Sequence, residues 1–191
     1  MSPRTKEQFE QIKNDKKELI KETALKVFAE EGYHAASIST IAKKAQISKG
    51  LIYNYFKSKE DLLNAIFNDG YISKMHILNE LKEKPIGKEE MISLLNDTFR
   101  LIDENRDYWK LYYMLMLQPK VMAIFEDQVK NEGQEFFNHM TKYFEAIGEE
   151  DPAATNMAFL AALDGVGLTY LISPLHFPLE SMKKILISKF L

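Results

Sequence analysis

Small polar residues, lysines and tyrosines lie close together between Ser37 and Lys59, in the segment SISTIAKKAQISKGLIYNYFKSK. The spacing predicts two short helices joined by a tight turn over about residues 37–56. Short polar side chains at the leading end of a helix can reach base edges and phosphates in the major groove of DNA. The pattern therefore predicts a surface that binds double-stranded DNA.

Several side chains of the second short helix suit such contacts. Ser48 can cap the helix and donate to a phosphate, and Lys49 offers a charge to phosphate or guanine. Gly50 allows close approach of the backbone, while Tyr53 and Tyr55 carry hydroxyl groups on rigid rings. Packing inside the domain is an equal alternative for Tyr55.

Lys59 follows at the expected start of a longer helix. There its side chain and the free backbone amides can hold one phosphate together. Lys43 and Lys44 could contact DNA, but simple exposure to solvent also explains two lysines at these positions. Apolar residues between these positions predict the core of the same domain: Phe28, Ile38, Ile41, Ala45, Ile47, Ile52, Phe56 and Leu62.

The charge is distributed unevenly along the 191 residues. Residues 1–60 hold 12 Lys and Arg against 8 Asp and Glu, whereas residues 61–191 hold 13 against 20. A basic N-terminal module on an acidic remainder suits binding to a polyanion, because local cations replace condensed counterions. Ordinary variation of surface charge explains an excess of this size equally well.

The composition excludes several functional classes. The chain has no cysteine, so it forms no disulfide and has no thiol nucleophile. Its four histidines lack the spacing of metal ligands, and no catalytic motif is recognisable, so we expect no cofactor, no metal and no enzymatic activity. No apolar run approaches the length of a membrane span and no secretory signal is evident, so we expect a cytoplasmic protein that does not bind membranes.

Helical periodicity extends over almost the whole chain, and no persistent period-two alternation occurs. The sequence predicts an all-α fold of about nine helices, broken at glycines and prolines. The expected helices cover about residues 6–31, a short stretch that starts at Ser37, and residues 48–55, 58–84, 88–105, 107–117, 119–147, 152–172 and 179–190.

The strings ALKVFAEEGY and SISTIAKKAQISKGLIYNYFKSKEDLL resemble the N-terminal helix-turn-helix domain of TetR-family transcriptional regulators. The resemblance covers residues 14–74 and implies a three-helix DNA-binding domain joined to a larger helical domain, residues 75–191, for effector binding and dimerisation. It implies that Tyr53 and Lys59 clamp phosphates. The resemblance also implies that four residues face the groove of the DNA: Lys49, Leu51, Asn54 and Tyr55. It implies further DNA contacts from the start of the second helix, by Ser37, Ser39 and Thr40.

Aromatic and methionine side chains are concentrated between residues 108 and 125, which favours an adaptable cavity for an apolar or aromatic small molecule. The candidate lining residues are Trp109, Tyr112, Tyr113, Met116, Met122 and Phe125, with Arg100 and Asp164 as polar groups. A filled core explains the apolar residues equally well. Pairing of Asp164 with a neighbouring helix is slightly favoured over a ligand contact.

Small residues on the eighth helix and an apolar stripe on the ninth favour a four-helix bundle between two copies of the chain. The candidate interface residues are Ala158, Ala161, Ala162, Gly165, Leu179, Met182, Ile185 and Leu186. Packing of these faces within one subunit is the alternative.

These features together predict a homodimeric transcriptional regulator, most simply a repressor that an effector releases from a palindromic operator. An activator would use the same DNA-binding surface. A DNA-binding protein without an effector is the main alternative, and a helical enzyme is a remote one.

Overall fold

The computed structural model describes residues 5–79 and 86–191, apart from the side chains at positions 72–79 and 132. All regular structure in these ranges is helical, which confirms the predicted all-α fold. The helices are α1 (Lys6–Glu31), α2 (Ile38–Lys44), α3 (Lys49–Tyr55), α4 (Lys59–Asn79), α5 (Lys88–Glu104), α6 (Arg106–Met116), α7 (Pro119–Ala146), α8 (Pro152–Ile172) and α9 (Leu179–Phe190). The expected continuation of α4 to residue 84 falls mostly on positions 80–85, outside the described residues.

Side-chain caps explain where several helices begin. Thr5 and Gln8 form a reciprocal capping box at the start of α1. The side chain of Asp151 accepts a hydrogen bond from the backbone N–H of Ala154 at 3.0 Å, and Pro152 occupies the first turn of α8. These local contacts explain where α1 and α8 begin.

The chain forms two compact units. The head consists of the residues up to Tyr71 together with Leu111–Val121, and the body consists of Ile72–Lys110 and Met122–Leu191. The sequence placed everything after residue 74 in the body, whereas the structure includes the junction of α6 and α7 in the head.

One close contact explains why that junction belongs to the head. A Cβ atom on Gly70 would lie 2.2 Å from the ring of Tyr112, so only glycine allows α6 to approach α4 this closely. The Tyr112 hydroxyl also donates a hydrogen bond to the carbonyl of Phe67 at 3.3 Å.

Apolar side chains of α1, α2, α3 and α4 form the core of the head. Seven of the eight residues predicted for this core are buried, and Ile47, in the turn between α2 and α3, is half-buried. Lys21, on α1, is also buried, and its ammonium bonds to Asp69 on α4 and to Glu18. Burial disfavours the charged form of Lys21, but these hydrogen bonds outweigh it and raise its pKa above 10.5.

The core of the body brings together α5, α7, α8 and α9. Its largest fully buried side chains include Phe99, Phe144 and Phe159. Asn156, also fully buried, donates to the carbonyl of Phe137 at 2.9 Å and to the hydroxyl of Thr141 at 3.0 Å, which ties α8 to α7.

Within the described residues α8 is long and apolar enough to cross a membrane by length and composition. A packed helix of a globular domain has the same composition, and 39% of this segment is buried inside the chain.

Candidate nucleic-acid interface

The α3 helix has one buried face and one exposed face. Ile52 and the following Phe56 are buried, while Lys49, Gly50, Tyr53 and Asn54 are exposed. Positions 49, 50, 53 and 54 recur at intervals of three and four residues, so they lie on one side of the helix. We call these four residues the outer face of α3.

Serine caps start both short helices and remain exposed. The hydroxyl oxygen of Ser37 accepts a hydrogen bond from the N–H of Thr40 at 3.0 Å, and that of Ser48 accepts one from the N–H of Leu51 at 3.1 Å. The Ser48 hydroxyl uses its oxygen as the acceptor, so its proton stays available to a phosphate oxygen. The Ser37 hydroxyl also shares a hydrogen bond with the Thr40 hydroxyl at 2.9 Å. Ser39 is exposed near the same end of α2, where Thr40 is half-buried.

The turn between α2 and α3 is a Schellman motif. Ile47 N–H donates to the carbonyl of Ala42 at 3.0 Å, and Gln46 N–H donates to that of Lys43 at 3.2 Å. Gln46 has φ of 55°, the left-handed conformation that the motif requires at this position. This closure sets the tight angle between the two helices.

Lys59, predicted to bind a phosphate at the start of α4, has its ammonium directed to backbone carbonyls of the head. Its ammonium donates to the carbonyl oxygens of Tyr33 at 2.8 Å, Ala36 at 2.9 Å and His34 at 3.3 Å. An ammonium has three donors, and all three are used within the head. In this conformation the turn between α1 and α2 supplies the acceptors for the Lys59 ammonium, and the phosphate contact of this side chain stays a prediction.

Cations elsewhere in the head have different surroundings. Lys49 Nζ lies 5.9 Å from the ring centroid of Tyr53, whose side chain is 48% exposed. Lys44 forms an ion pair with Glu31 at 2.7 Å. The Lys49 and Tyr53 pair therefore presents both charge and a hydroxyl group on the outer face of α3, while Leu51 and Tyr55 are half-buried beside it.

The structure divides the predicted pocket residues between the two units. Tyr112 and Met116 are buried in the head, with Tyr113 half-buried there, and Trp109 and Phe125 are buried in the body.

Three members of the predicted pocket are exposed, and their role in a pocket stays a prediction. Met122 is 40% exposed, and Asp164 lies on an exposed face of α8. The side chain of Arg100 is 64% exposed and binds Asp97 at 2.7 Å on its own helix. That hydrogen bond raises the pKa of Arg100 and lowers the pKa of Asp97. Charged groups at these positions remain hydrated, so they need no buried ligand.

Two concavities are present among the described residues of the body. A polar one of about 510 Å³ is lined by Asp103, Arg106, Lys110 and neighbouring residues. An apolar one of about 470 Å³ lies between α8 and α9. Neither is lined by the predicted aromatic and methionine residues, whereas the apolar one contains five of the predicted interface residues: Ala162, Gly165, Met182, Ile185 and Leu186.

The predicted interface residues differ in exposure. Ala158, Ala161 and Gly165 recur on the exposed side of α8, and Ile185 is 49% exposed on α9. Leu186 is buried in the body core, and Ala162, Leu179 and Met182 pack against that core. Part of the α9 stripe thus packs within its own subunit, as the alternative interpretation held.

Gln118 is a residue that the sequence marked only as a break between helices. Its side chain accepts a hydrogen bond from Tyr33 N–H at 3.0 Å and donates one to the Phe28 carbonyl at 2.9 Å. The two partners are 85 and 90 positions away in the chain, so no local pattern could reveal the contact.

Comparison with known proteins agrees with this geometry. Residues 20–66 match the family described as bacterial regulatory proteins, tetR family. The chain is 38% identical over 86 residues to the fatty acid metabolism regulator protein of Bacillus subtilis, a match that covers 44% of this chain and 43% of the relative. This relative is thus matched over less than half of its length.

Solved structures are similar over more of the chain. The fatty acid degradation regulator FadR from Bacillus halodurans has a TM-score of 0.69 at 23% identity, covering 91% of this chain and 93% of that one. FadR from Bacillus subtilis in complex with stearoyl-CoA has a TM-score of 0.65 at 22% identity, covering 89% and 95%. At these identities the likeness shows a shared fold.

Proposed function

We propose that the chain is a DNA-binding transcriptional regulator that acts as a cytoplasmic repressor, because residues 20–66 match the family described as bacterial regulatory proteins, tetR family. The observation that carries the proposal is the outer face of α3. It combines a cation, a tyrosine hydroxyl and an amide around a glycine, on a short helix whose other side is fixed in the core.

In this proposal the outer face of α3 enters the major groove, and the groups around it bind phosphates. Lys49 and Asn54 have the donors to read base edges, and Gly50 lets the helix backbone come close. Ser37, Ser39, Thr40, Ser48 and Tyr53 supply hydroxyl groups for the phosphates. At the start of α4 the backbone N–H groups are a further site for a phosphate in this proposal. The Lys59 ammonium meanwhile bonds to backbone carbonyls within the head.

Dimerisation would give the regulator two heads for a palindromic site. The exposed small residues of α8 allow another helix to approach closely, and Leu168 and Ile172 extend that side with apolar surface. A second copy of the same face would cover these side chains around a twofold axis. Two linked heads also bind far more tightly than one, because the second contact becomes intramolecular.

An apolar effector is the proposed signal that releases DNA. One relative is named a fatty acid metabolism regulator, and one structurally similar protein is solved with stearoyl-CoA, so long-chain acyl-CoA thioesters are the class to test first. Binding would favour a dimer whose heads no longer match the half-sites.

A regulator without an effector is the second candidate. Trp109, Tyr112, Met116 and Phe125 are buried, and none of them lines the two described concavities. A filled core at these residues would favour repression by occupancy alone.

The test is selection of bound fragments from random DNA by the full chain, followed by fluorescence anisotropy across a salt series. We expect a palindromic consensus and an affinity that falls steeply with salt. Addition of stearoyl-CoA, with free coenzyme A as the control, separates the two candidates. A chain that enriches no DNA sequence contradicts the proposal.

A further inference from the structure

The apolar concavity between α8 and α9 is a groove within the body. Its volume of about 470 Å³ is in the range of pockets that bind small molecules. On α9 it is lined by Met182, Ile185 and Leu186, which recur at intervals of three and four residues and therefore share one side of the helix. The opposite wall, on α8, includes the small residues Ala162 and Gly165.

Gly165 leaves the groove open on the side of α8. A Cβ atom added at Gly165 would meet nothing within 4 Å, whereas one added at Gly167 would lie 3.2 Å from Cδ1 of Ile102. The two glycines are two positions apart, so they face different sides of α8. Gly167 thus serves packing within the chain, and Gly165 provides open space.

Two phenylalanines line the groove at opposite ends of α9. The ring centroid of Phe177, just before α9, lies 6.3 Å from that of Tyr170. The ring centroid of Phe190, the last residue of α9, lies 5.6 Å from that of Phe159. Both partner rings belong to α8, so these contacts hold the two ends of the groove in place.

The polar groups of the lining are few. The hydroxyl of Thr169 donates to the carbonyl of Gly165 at 2.7 Å, so its proton is used within α8. Lys189 is the one charged residue of this lining, and it is exposed in the last turn of α9. It forms no ion pair with the residues that the structure describes, so its ammonium is available to an anion from solution.

The position of Lys189 completes an amphipathic site. It follows Ile185 by four residues and Leu186 by three, so its aliphatic stem lies on the same side of α9 as the apolar lining, while its charge remains in water. Seven residues separate Met182 from Lys189, which corresponds to about 10 Å of helix. An extended alkyl chain of about eight carbons has a similar length.

We infer that the groove binds a fatty acid of about eight to ten carbons, with its alkyl chain along α9 and its carboxylate beside the Lys189 ammonium. Burial of the chain supplies most of the affinity, and the ammonium selects an anionic head group over a neutral one. This site goes beyond the proposed function, and its occupancy is measured without DNA.

A second copy of the chain is the other occupant that an apolar groove admits. The dimer proposed above uses the exposed side of α8, which adjoins the groove at Gly165. The neighbouring residues of that side, Ala158 and Ala161, have side chains too short to fill a concavity of this depth. A single flexible chain fills it better, and the unpaired cation at its rim complements a carboxylate.

The test is isothermal titration calorimetry of the full chain with decanoate. Octanoate should bind about tenfold more weakly, because two methylene groups fewer are buried. The neutral 1-decanol should bind about fivefold more weakly than decanoate, since it lacks the charge. Decanoyl-CoA, which has no carboxylate beside its chain, should also bind more weakly. If chain length did not affect the affinity, or if decanoyl-CoA bound more tightly than decanoate, the inference would be overturned.

Substitutions of Lys189 test the contact with the carboxylate. Lys189→Gln should weaken decanoate about fivefold and leave 1-decanol within about twofold of the parent, while Lys189→Arg should retain decanoate. Lys184→Gln is the control, because Lys184 is exposed on another side of α9. It should bind decanoate as the parent does. Equal decanoate affinity of Lys189→Gln and the parent would overturn the contact.

Ile185→Glu tests the groove itself. It places a carboxylate in the apolar lining four residues from Lys189, so decanoate binding should be lost. Ile147→Glu is the matched control, because the side chains of Ile147 and Ile185 are both 49% exposed. It should bind decanoate normally. Unchanged binding by Ile185→Glu would place the fatty acid elsewhere and overturn the inference.

Sedimentation velocity of the same variants tests the competing occupant. Ile185→Glu should keep the assembly state of the parent. A parent that binds no decanoate, together with a dimer that Ile185→Glu dissociates, would assign the groove to a second copy and overturn the inference.

The inference and the proposed function can fail separately. A chain that selects no DNA and binds decanoate through Lys189 would refute the regulator and support the groove. A chain that selects DNA and binds no decanoate would refute the groove alone.

Discussion

Lys59 and Tyr33 contact each other twice: the ammonium lies 2.8 Å from the backbone carbonyl of Tyr33 and 4.6 Å from the centroid of its ring. A charged hydrogen bond and a cation–π contact therefore join the start of α4 to the turn after α1. This relationship gives the lysine a role in the stability of the head.

Replacement of Lys59 by methionine should lower the free energy of unfolding of the head by about 2 kcal/mol, because hydrogen bonds to a charged group and a cation–π contact are lost. The salt dependence of DNA binding by the folded protein should not change. Chemical denaturation and anisotropy titrations measure the two effects.

Lys57→Met is the control for Lys59, since the Lys57 side chain is exposed two residues earlier. Its stability should equal that of the parent. If Lys59→Met instead reduced the salt dependence and left the stability unchanged, the internal role of Lys59 would be refuted.

Gly50→Ala should separate DNA binding from folding. A Cβ atom there would meet only Ser48 Oγ at 3.9 Å, so the fold has room for it, and the gain in helix propensity should stabilise the head by up to about 1 kcal/mol. DNA affinity should fall about tenfold, because the backbone can no longer approach the groove as closely.

Gly133→Ala is the matched control, because Gly133 lies on α7 and a methyl group added there would meet nothing within 4 Å. It should gain similar stability and bind DNA as the parent does. Thermal unfolding measures the stability of each variant, and fluorescence anisotropy measures its DNA affinity. Equal DNA affinity of Gly50→Ala and the parent would show that Gly50 does not face the groove.

Gln46→Gly should stabilise the head by about 0.5–1 kcal/mol, since glycine adopts positive φ without the strain of a side chain. Gln46 has φ of 55° at the end of α2. Thermal unfolding measures the effect, and Gln46→Ala, which keeps a Cβ atom, should give no such gain. A destabilised Gln46→Gly variant would mean that the glutamine side chain contributes more than the strain costs.

The hydroxyl of Tyr170 donates a hydrogen bond to Asp103, and this bond, together with burial, raises the pKa of Tyr170 above 10.0. The folded state thus favours the neutral phenol. Its stabilising contribution is complete below the unfolded pKa of about 10 and is lost as the pH rises further.

Tyr170→Phe should therefore remove part of the loss of stability that the parent shows as the pH rises above about 10. Urea denaturation at several pH values measures the free energy of unfolding of the parent and of the variant. An alkaline profile identical to that of the parent would show that the hydrogen bond to Asp103 does not contribute to stability.

Ala161→Glu should convert the proposed dimer to a monomer, because a carboxylate would be placed between closely packed α8 helices. Sedimentation velocity measures the assembly state. Ala123→Glu, at an exposed position of α7, is the control and should leave the assembly state of the parent unchanged. A dimer that survives Ala161→Glu would place the interface elsewhere.

The sequence predicted the helices because their signals are local. Ser37, Ser48 and Asp151 cap helices through backbone groups three residues away, and apolar periodicity identified the buried side of α3. These patterns depend on neighbours along the chain, which the sequence shows directly.

The sequence could not predict contacts between distant segments. Lys59 has the same charge whether it binds a phosphate or three carbonyls, and the choice depends on a turn more than 20 residues earlier. Arg100 was expected among apolar neighbours, but its side of α5 faces water. Gln118 bonds to backbone groups at the end of α1, and only folding brings these two distant segments together.

The central claim is that the outer face of α3 binds DNA. The most direct measurement is fluorescence anisotropy with the selected palindrome across a salt series. It compares the parent with a double variant, Lys49→Gln with Tyr53→Phe. We predict that log K of the parent falls linearly with log salt concentration, and that the double variant binds about 30-fold more weakly with a slope smaller by about 1 per head. Equal affinity and equal slope for the two proteins would contradict the claim.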